Sequence, residues 1–209
     1  MSRVPDAVPD HVHHSRSAVA SVRASYARQG AEDWRTFLAL RGGELLVGGR
    51  LVILLMALAD DGDFGFGPVM DHLQAALTEL VAEGFVAPGE HARMAIPTVG
   101  RSRTDLLAPF AGGGRFAGLE VVQLDVFTGP DPIWDAFEAT GEVGPLARAW
   151  AAFTRAFASP TLAAALDGAS AARAAAFADR LEADLVERFA TAPVRMPITL
   201  GCVHLVKAG

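Results

Sequence analysis

A single cysteine, Cys202, is all the thiol chemistry in this 209-residue chain, so an internal disulfide and a Cys-x-x-Cys metal or redox pair are both excluded. It lies in the apolar run Ile198 to Val206 and reads as a buried, inert thiol. Positive charge is also scarce: 18 basic residues stand against 24 acidic ones, a formal charge of -6, and the arginines are scattered. Nucleic-acid binding needs a concentrated basic footprint, so that partner class falls away. No apolar run exceeds nine residues, about half of the roughly 20 that cross a membrane. The opening stretch MSRVPDAVPDHVHH lacks the apolar centre of a secretion signal, so a cytoplasmic protein with no membrane partner is the expectation. No Gly-x-Ser-x-Gly elbow, Walker sequence or plausible serine or cysteine triad occurs.

What is present suits one large domain, or a core with a smaller lobe: half of the residues are hydrophobic and a fifth are charged. The nine-residue run Leu51 to Ala59 follows Gly48 and Gly49 and ends at Asp60, Asp61 and Asp63. That shape predicts a strand buried on both faces in the middle of a parallel sheet. Ahead of it, residues 15–41 carry a helical pattern through Val19, Val22, Tyr26, Trp34, Phe37, Leu38 and Arg41, which Gly42 and Gly43 weaken. Behind it, Pro68 opens a helix with Val69, Leu73, Ala76, Leu77, Leu80 and Val81 on one face and Gly84 as its stop.

Ser102 and Asp105 form a capping box, and Leu119 to Phe127 read as a second strand. Leu146, Trp150, Phe153 and Phe157, then Phe177, Leu181, Leu185 and Phe189, mark a pair of amphipathic helices. A last strand follows Pro193. The fold class is α/β, the later half of an open sheet with a helical insertion before the final strand.

Ligands of such sheets sit beyond the carboxyl ends of parallel strands, where Asp60, Asp61 and Asp63 fall. They could position a substrate or cation, but a solvated strand-end turn is the plainer reading. His11, His13 and His14 could ligate a metal, yet no carboxylate or cysteine follows at ligand spacing, and a surface loop is expected. Trp134, Trp150, Phe153 and Met70 could line an apolar pocket for a flat small molecule, or be plain core. The stretch FAGGGRFAG precedes a strand instead of joining a strand to a helix, which makes it a turn and not a phosphate loop.

Five stretches together resemble one family, the S-adenosylmethionine-dependent carboxyl methyltransferases called SABATH enzymes. They are SRVPD at residues 2–6, YARQGAEDWRTFLALRGGELLVGGRLV, LQAALTELVAEGFV, IPTVGRS, and the closing helix with the strand ending VHLVK. The resemblance implies methyl transfer from S-adenosylmethionine to the carboxylate of a small-molecule acid. It implies the later half of a Rossmann-like class I methyltransferase sheet: a partial core at 1–129, a helical cap at 130–192 and a final core strand at 193–209.

Position by position, the resemblance implies substrate-binding places at Met56, Val69, Met70, Val99, Trp150 and Phe153. Met70 stands where many members have tryptophan and Val99 where they have tyrosine, which implies an acceptor larger or less aromatic than salicylate; Ala95 stands where they have asparagine, which removes a polar contact. The family's acidic Gly-x-Gly cofactor loop has no match, so no cofactor-binding or catalytic residue is assigned. The chain looks like the C-terminal portion of such an enzyme. A rival reading is a non-catalytic module that pairs through a sheet edge with a partner, either a missing N-terminal half or a copy of itself as a homodimer.

Overall fold

The computed structural model describes residues 3–168 and 170–209. The SRVPD match therefore begins, at Ser2, outside the described residues. In chain order the elements are α1 (Ala20–Glu44), β1 (Arg50–Met56), α2 (Gly67–Ala82), α3 (Pro88–His91), α4 (Arg103–Leu107), β2 (Arg115–Phe116), β3 (Leu119–Thr128), α5 (Pro132–Thr140), α6 (Val143–Ala163), α7 (Ala171–Thr191) and β4 (Thr199–Lys207). No helix among the described residues is long and apolar enough to cross a membrane.

The strands form one sheet in the order β1-β4-β3-β2, and every pair in it is antiparallel. This overturns the expected parallel sheet. β1 and β3 do run the same way, but β4, the last strand made, inserts between them in the opposite direction. β1 is also not buried on both faces. It pairs with β4 along one edge, and its side chains alternate, with Val52 and Leu54 62% and 63% exposed.

Two cores result. Trp34 and Leu38 from α1, with Leu106 and Phe110, cover one face of the sheet at Val203, Leu205 and Leu119. The opposite face carries the rows Val52–His204–Gln123, Leu54–Cys202–Asp125 and Met56–Leu200–Phe127. Cys202 is half-buried on that open face, not the inert buried thiol its apolar run suggested. The second core is helical: α2, α6 and α7 bury Leu73, Leu77, Leu146, Trp150, Phe177, Leu181, Leu185 and Phe189 together. Arg188 ties α7 to α2 through Glu79, and Arg180 does so through Glu83.

Local chemistry explains where these elements start and stop. Ser102 caps α4 by accepting from the Asp105 amide while Asp105 accepts from the Ser102 amide at 2.9 Å, the capping box read from sequence. α1 runs through Gly42 and Gly43 to Glu44, past the expected weakening. Gly42 serves close approach instead: a Cβ there would lie 2.5 Å from the Ala117 carbonyl oxygen. Lys207 Nζ fastens the same junction by donating to the carbonyls of Gly42 and Ala117 at 2.7 and 2.9 Å.

Candidate functional site

The end of β1, the start of α2 and the middle of α6 all contribute residues to the helical core or its flank. Met56, the last residue of β1, packs against that core, and Val69 and Met70, in the first turn of α2, are buried within it at 0% and 2% exposure. Trp150 in α6 is buried in the same cluster, and Phe153 touches its ring at a centroid distance of 5.6 Å. Of the six residues implied by the resemblance, Val69, Met70 and Trp150 lie in this core, Met56 flanks it and Phe153 meets Trp150. Val99 is not among them; it packs with Val8, Val22 and Tyr26 in a separate cluster, against Gly30, where a Cβ would lie 3.0 Å from Val99 Cγ1.

An aromatic group gathers around Phe66, which the sequence reading missed. Phe66 occupies the N-cap position of α2 and meets Trp150 at 6.0 Å, Phe153 at 5.7 Å and Phe157 at 6.0 Å. Two fixtures hold it there. Gly65 adopts a φ of +76°, and a Cβ on it would fall 2.0 Å from the Pro197 carbonyl oxygen, so the β1–α2 connection lies directly on the segment leading into β4. The Thr199 amide donates to the Phe64 carbonyl at 3.2 Å across the same contact. Below it the buried Asp131 carboxylate accepts from the Trp134 amide at 3.0 Å, capping α5, and from the Met196 amide at 2.9 Å. One side chain thereby joins the start of the helical segment to its return.

The histidine cluster is a correction: it is not a surface loop. His13 and His14 are 2% and 8% exposed, and their rings continue the aromatic packing from Tyr26 through Phe64 to Phe66, at 4.5, 4.7, 5.1 and 6.5 Å. Burial is feasible because the rings find partners far away in sequence. His13 Nδ1 accepts from the Ser15 amide at 3.3 Å, which leaves the proton on Nε2 to be donated to Thr98 Oγ1 at 3.1 Å. His14 Nε2 donates to the Thr98 carbonyl at 3.0 Å. Burial, with help from the neighbouring His14 and His11, pushes the His13 ring down to about 3, so it is neutral across the physiological range. Burial lowers His14 and His11 as well.

The strand-end acids hold a turn. Asp61 Oδ1 accepts from the Asp63 amide at 2.9 Å, and Asp63 Oδ1 accepts from the Gly65 amide at 3.1 Å. No group of three or more His, Cys, Asp or Glu among the described residues is placed to hold a metal ion. Gly112 to Gly114 lead from a single 3-10 turn into β2, as a turn should.

A family model described as SAM dependent carboxyl methyltransferase matches residues 1–200. Among curated proteins, the chain is 29% identical over 117 residues to a probable caffeine synthase 3 of Coffea arabica, a match covering 56% of this chain and 29% of that protein. It is also 29% identical over 151 residues to a probable methyltransferase of Theobroma cacao, covering 65% of this chain and 40% of that one. Among solved structures, loganic acid methyltransferase with SAH superposes over 100% of this chain and 58% of its own length, with a TM-score of 0.73 at 18% identity, a likeness of fold. The chain thus spans less than two thirds of the proteins it matches.

Proposed function

We propose that this chain, which belongs to the SAM dependent carboxyl methyltransferase family of SABATH type, supplies the acceptor-binding part of an enzyme that methylates the carboxylate of a small-molecule acid. The observation that carries this reading is the aromatic group at the start of α2, where Phe66 meets Trp150 and Phe153 of α6, within the same apolar core that takes in Val69 and Met70 and that Met56 flanks at the end of β1. A carboxylate is already ionised at neutral pH, so as an acceptor it needs no general base. Placement is what these residues would contribute, an effect worth up to roughly 7 to 11 kcal/mol in favourable systems. Segment 130–192 would act as the cap over the acceptor, and a cytoplasmic setting is part of the same reading.

The β1–α2 connection does not offer S-adenosylmethionine a glycine cradle. The glycine-bearing connection between β1 and α2 spends Gly65 on the approach to Pro197, where even a Cβ would collide with backbone. We therefore assign the cofactor to the part of the fold that the 209 residues do not span, and derive no step through it. The open sheet face and the outer edge of β1 support that assignment, because an α/β sheet of this class carries layers on both faces.

Calorimetric titration with S-adenosylhomocysteine tests the reading. The chain alone should give no tight binding. Co-expressed with the portion of loganic acid methyltransferase that has no counterpart in it, the chain should gain micromolar binding and form methyl esters from small acids. Products methylated on nitrogen alone, or none despite cofactor binding, would overturn the carboxylate assignment.

A second reading, a non-catalytic interaction module, is favoured by one feature. Beside the outer edge of β1 lies a groove of about 440 Å³ lined by Trp34, Phe37, Leu40, Ile53 and Leu55. An apolar groove along an edge strand suits an added strand from a partner or a second copy. Sedimentation separates the two readings: a stable homodimer disrupted by Leu40→Lys supports the module, and a monomer removes the self-association form of it.

A further inference from the structure

Asp61 and Asp63 commit their carboxylates to the turn that follows β1. Asp60, exposed beside them, takes part in no hydrogen bond or ion pair among the described residues. It lines a cavity of about 230 Å³ at the end of the sheet, together with Arg103, Thr128 and Thr199. Arg103 is the first residue of α4, and its Nη1 donates to the Leu124 carbonyl at 2.9 Å, which lays the guanidinium along β3. Its other N–H groups have no partner among the described residues, and it forms no ion pair with Asp60 although both line the cavity. Thr128 and Thr199 are partners in the β3–β4 ladder. Thr199 is 5% exposed and its hydroxyl makes no hydrogen bond to the described residues, so a buried polar side chain joins the two charges at the cavity. Opposite charges that line one cavity without meeting leave room between them for a molecule that carries both.

We propose that this cavity binds a small zwitterion of the α-amino acid class. The ligand's carboxylate accepts from the free N–H groups of Arg103 and from the Thr199 hydroxyl, and its ammonium donates to Asp60. Volume sets the size of the occupant. At ~30 Å³ per water the cavity holds roughly eight waters, and it falls short of the ~300 Å³ at which sites for drug-sized ligands begin. A side chain no larger than that of alanine or serine fits. Arg103 and Asp60 are both exposed, so solvent and salt screen them and the dissociation constant is on the order of 1 mM. The site is separate from the acceptor site of the methyltransferase reading: Phe66, Trp150 and Phe153 do not line it.

The test titrates the full 209-residue chain, labelled with 15N, with L-alanine and follows the amide signals of Asp60, Arg103, Thr128 and Thr199. Sodium acetate and methylammonium chloride serve as half-ligands that carry one charge each. The expected result is a saturable shift of those amides with L-alanine, at about 1 mM, and binding at least about tenfold weaker for either half-ligand. Asp60→Asn should weaken L-alanine binding about tenfold, and Arg103→Gln by as much. Should Arg103→Gln disturb α4, Asp60→Asn decides alone, since Asp60 is exposed and bonded to nothing in the described chain. No shift up to about 50 mM L-alanine would overturn the proposal, a range that reveals even a site tenfold weaker than expected. So would acetate binding as tightly as L-alanine, or L-alanine binding that Asp60→Asn leaves unchanged. The methyltransferase reading stands or falls on cofactor binding and ester formation, so either proposal can fail without the other.

Discussion

The two faces of the sheet begin from the same pattern and end differently. On both, β1 offers branched apolar side chains at every second position: Leu51, Ile53 and Leu55 toward α1, Val52 and Leu54 away from it. On the first face, Val203 and Leu205 of β4 are 1% exposed beneath Trp34 and Leu38. On the second, His204 and Cys202 continue the rows, and β3 ends them with Gln123 and Asp125. Alternation shows that a strand has two faces; whether each is sealed depends on another layer. The mixed face, apolar on β1 and polar at Gln123 and Asp125 of β3 with Phe127 at its end, is suited to a covering layer that reaches the β1 side most closely.

Introducing a charge on each face gives the largest contrast. Val203→Asp places a carboxylate with no partner in the sealed core and should cost more than about 4 kcal/mol, enough to unfold a marginal domain. Leu54→Asp, on a side chain 63% exposed, should stay within about 0.5 kcal/mol. Urea denaturation reads both, and equal losses would mean that the open face is closed in solution.

Acid is the next strongest probe, because His13 is a buried polar group where Cys202 and His204 are half-exposed ones. Its folded-state value, about 3, lies below the unfolded 6.5. As pH falls below about 6.5, the unfolded chain takes up a proton that the folded one refuses, so stability declines until about pH 3. The decline should reach about 2 kcal/mol by pH 5, and on the order of 5 kcal/mol in all. Denaturation midpoints at pH 7 and pH 5 measure it, and His13→Gln should flatten the slope. An unchanged midpoint would mean that the ring is solvated.

Periodicity and cap chemistry made most elements legible in the sequence. Helix α2 was announced by Pro68 and its apolar stripe, α4 by Ser102 and Asp105, and α6 and α7 by rings and leucines at spacings of three and four. Strand direction was not legible, since a period of two is the same in parallel and antiparallel ladders and β4 joins its neighbours from the far end of the chain. The histidines misled for a similar reason: Thr98, which makes their burial tolerable, stands 85 residues from His13. Phe66 lay outside every periodic run because it caps a helix instead of belonging to its face. The site residues assigned by resemblance rest on tertiary information that spacing alone does not carry.

Cys202 sharpens the contrast between faces chemically. Half-buried between Leu54 and Asp125, it should react with a small maleimide in the native state, at a rate within about tenfold of the urea-unfolded chain. Slowing by several hundredfold would mean that something covers the face, and mass spectrometry of the timed reaction distinguishes the two. If the remainder of a methyltransferase fold does dock there, its addition should bring on that protection in step with cofactor binding.

The smallest effect lies at the far edge, where β2 turns into β3 through Ala117 and Gly118, both with positive φ, at 52° and 73°. Two such residues match the two-residue hairpin turn whose twist suits its strands, and glycine or asparagine is the usual occupant of the first position. Alanine there carries a Cβ in the left-handed region, a strain of about 1 kcal/mol. Ala117→Gly should relieve it and raise stability by somewhat under about 1 kcal/mol, offset in part by the greater freedom of glycine in the unfolded chain. The Ala117 carbonyl would still accept from Lys207 Nζ, so the bond that fastens the hairpin to β4 survives. A loss of stability in Ala117→Gly would instead mean that the Ala117 methyl group, packed toward Gly42, contributes more through contact with α1 than its backbone strain costs. The tight seam between α1 and the hairpin would then be part of what seals the closed face.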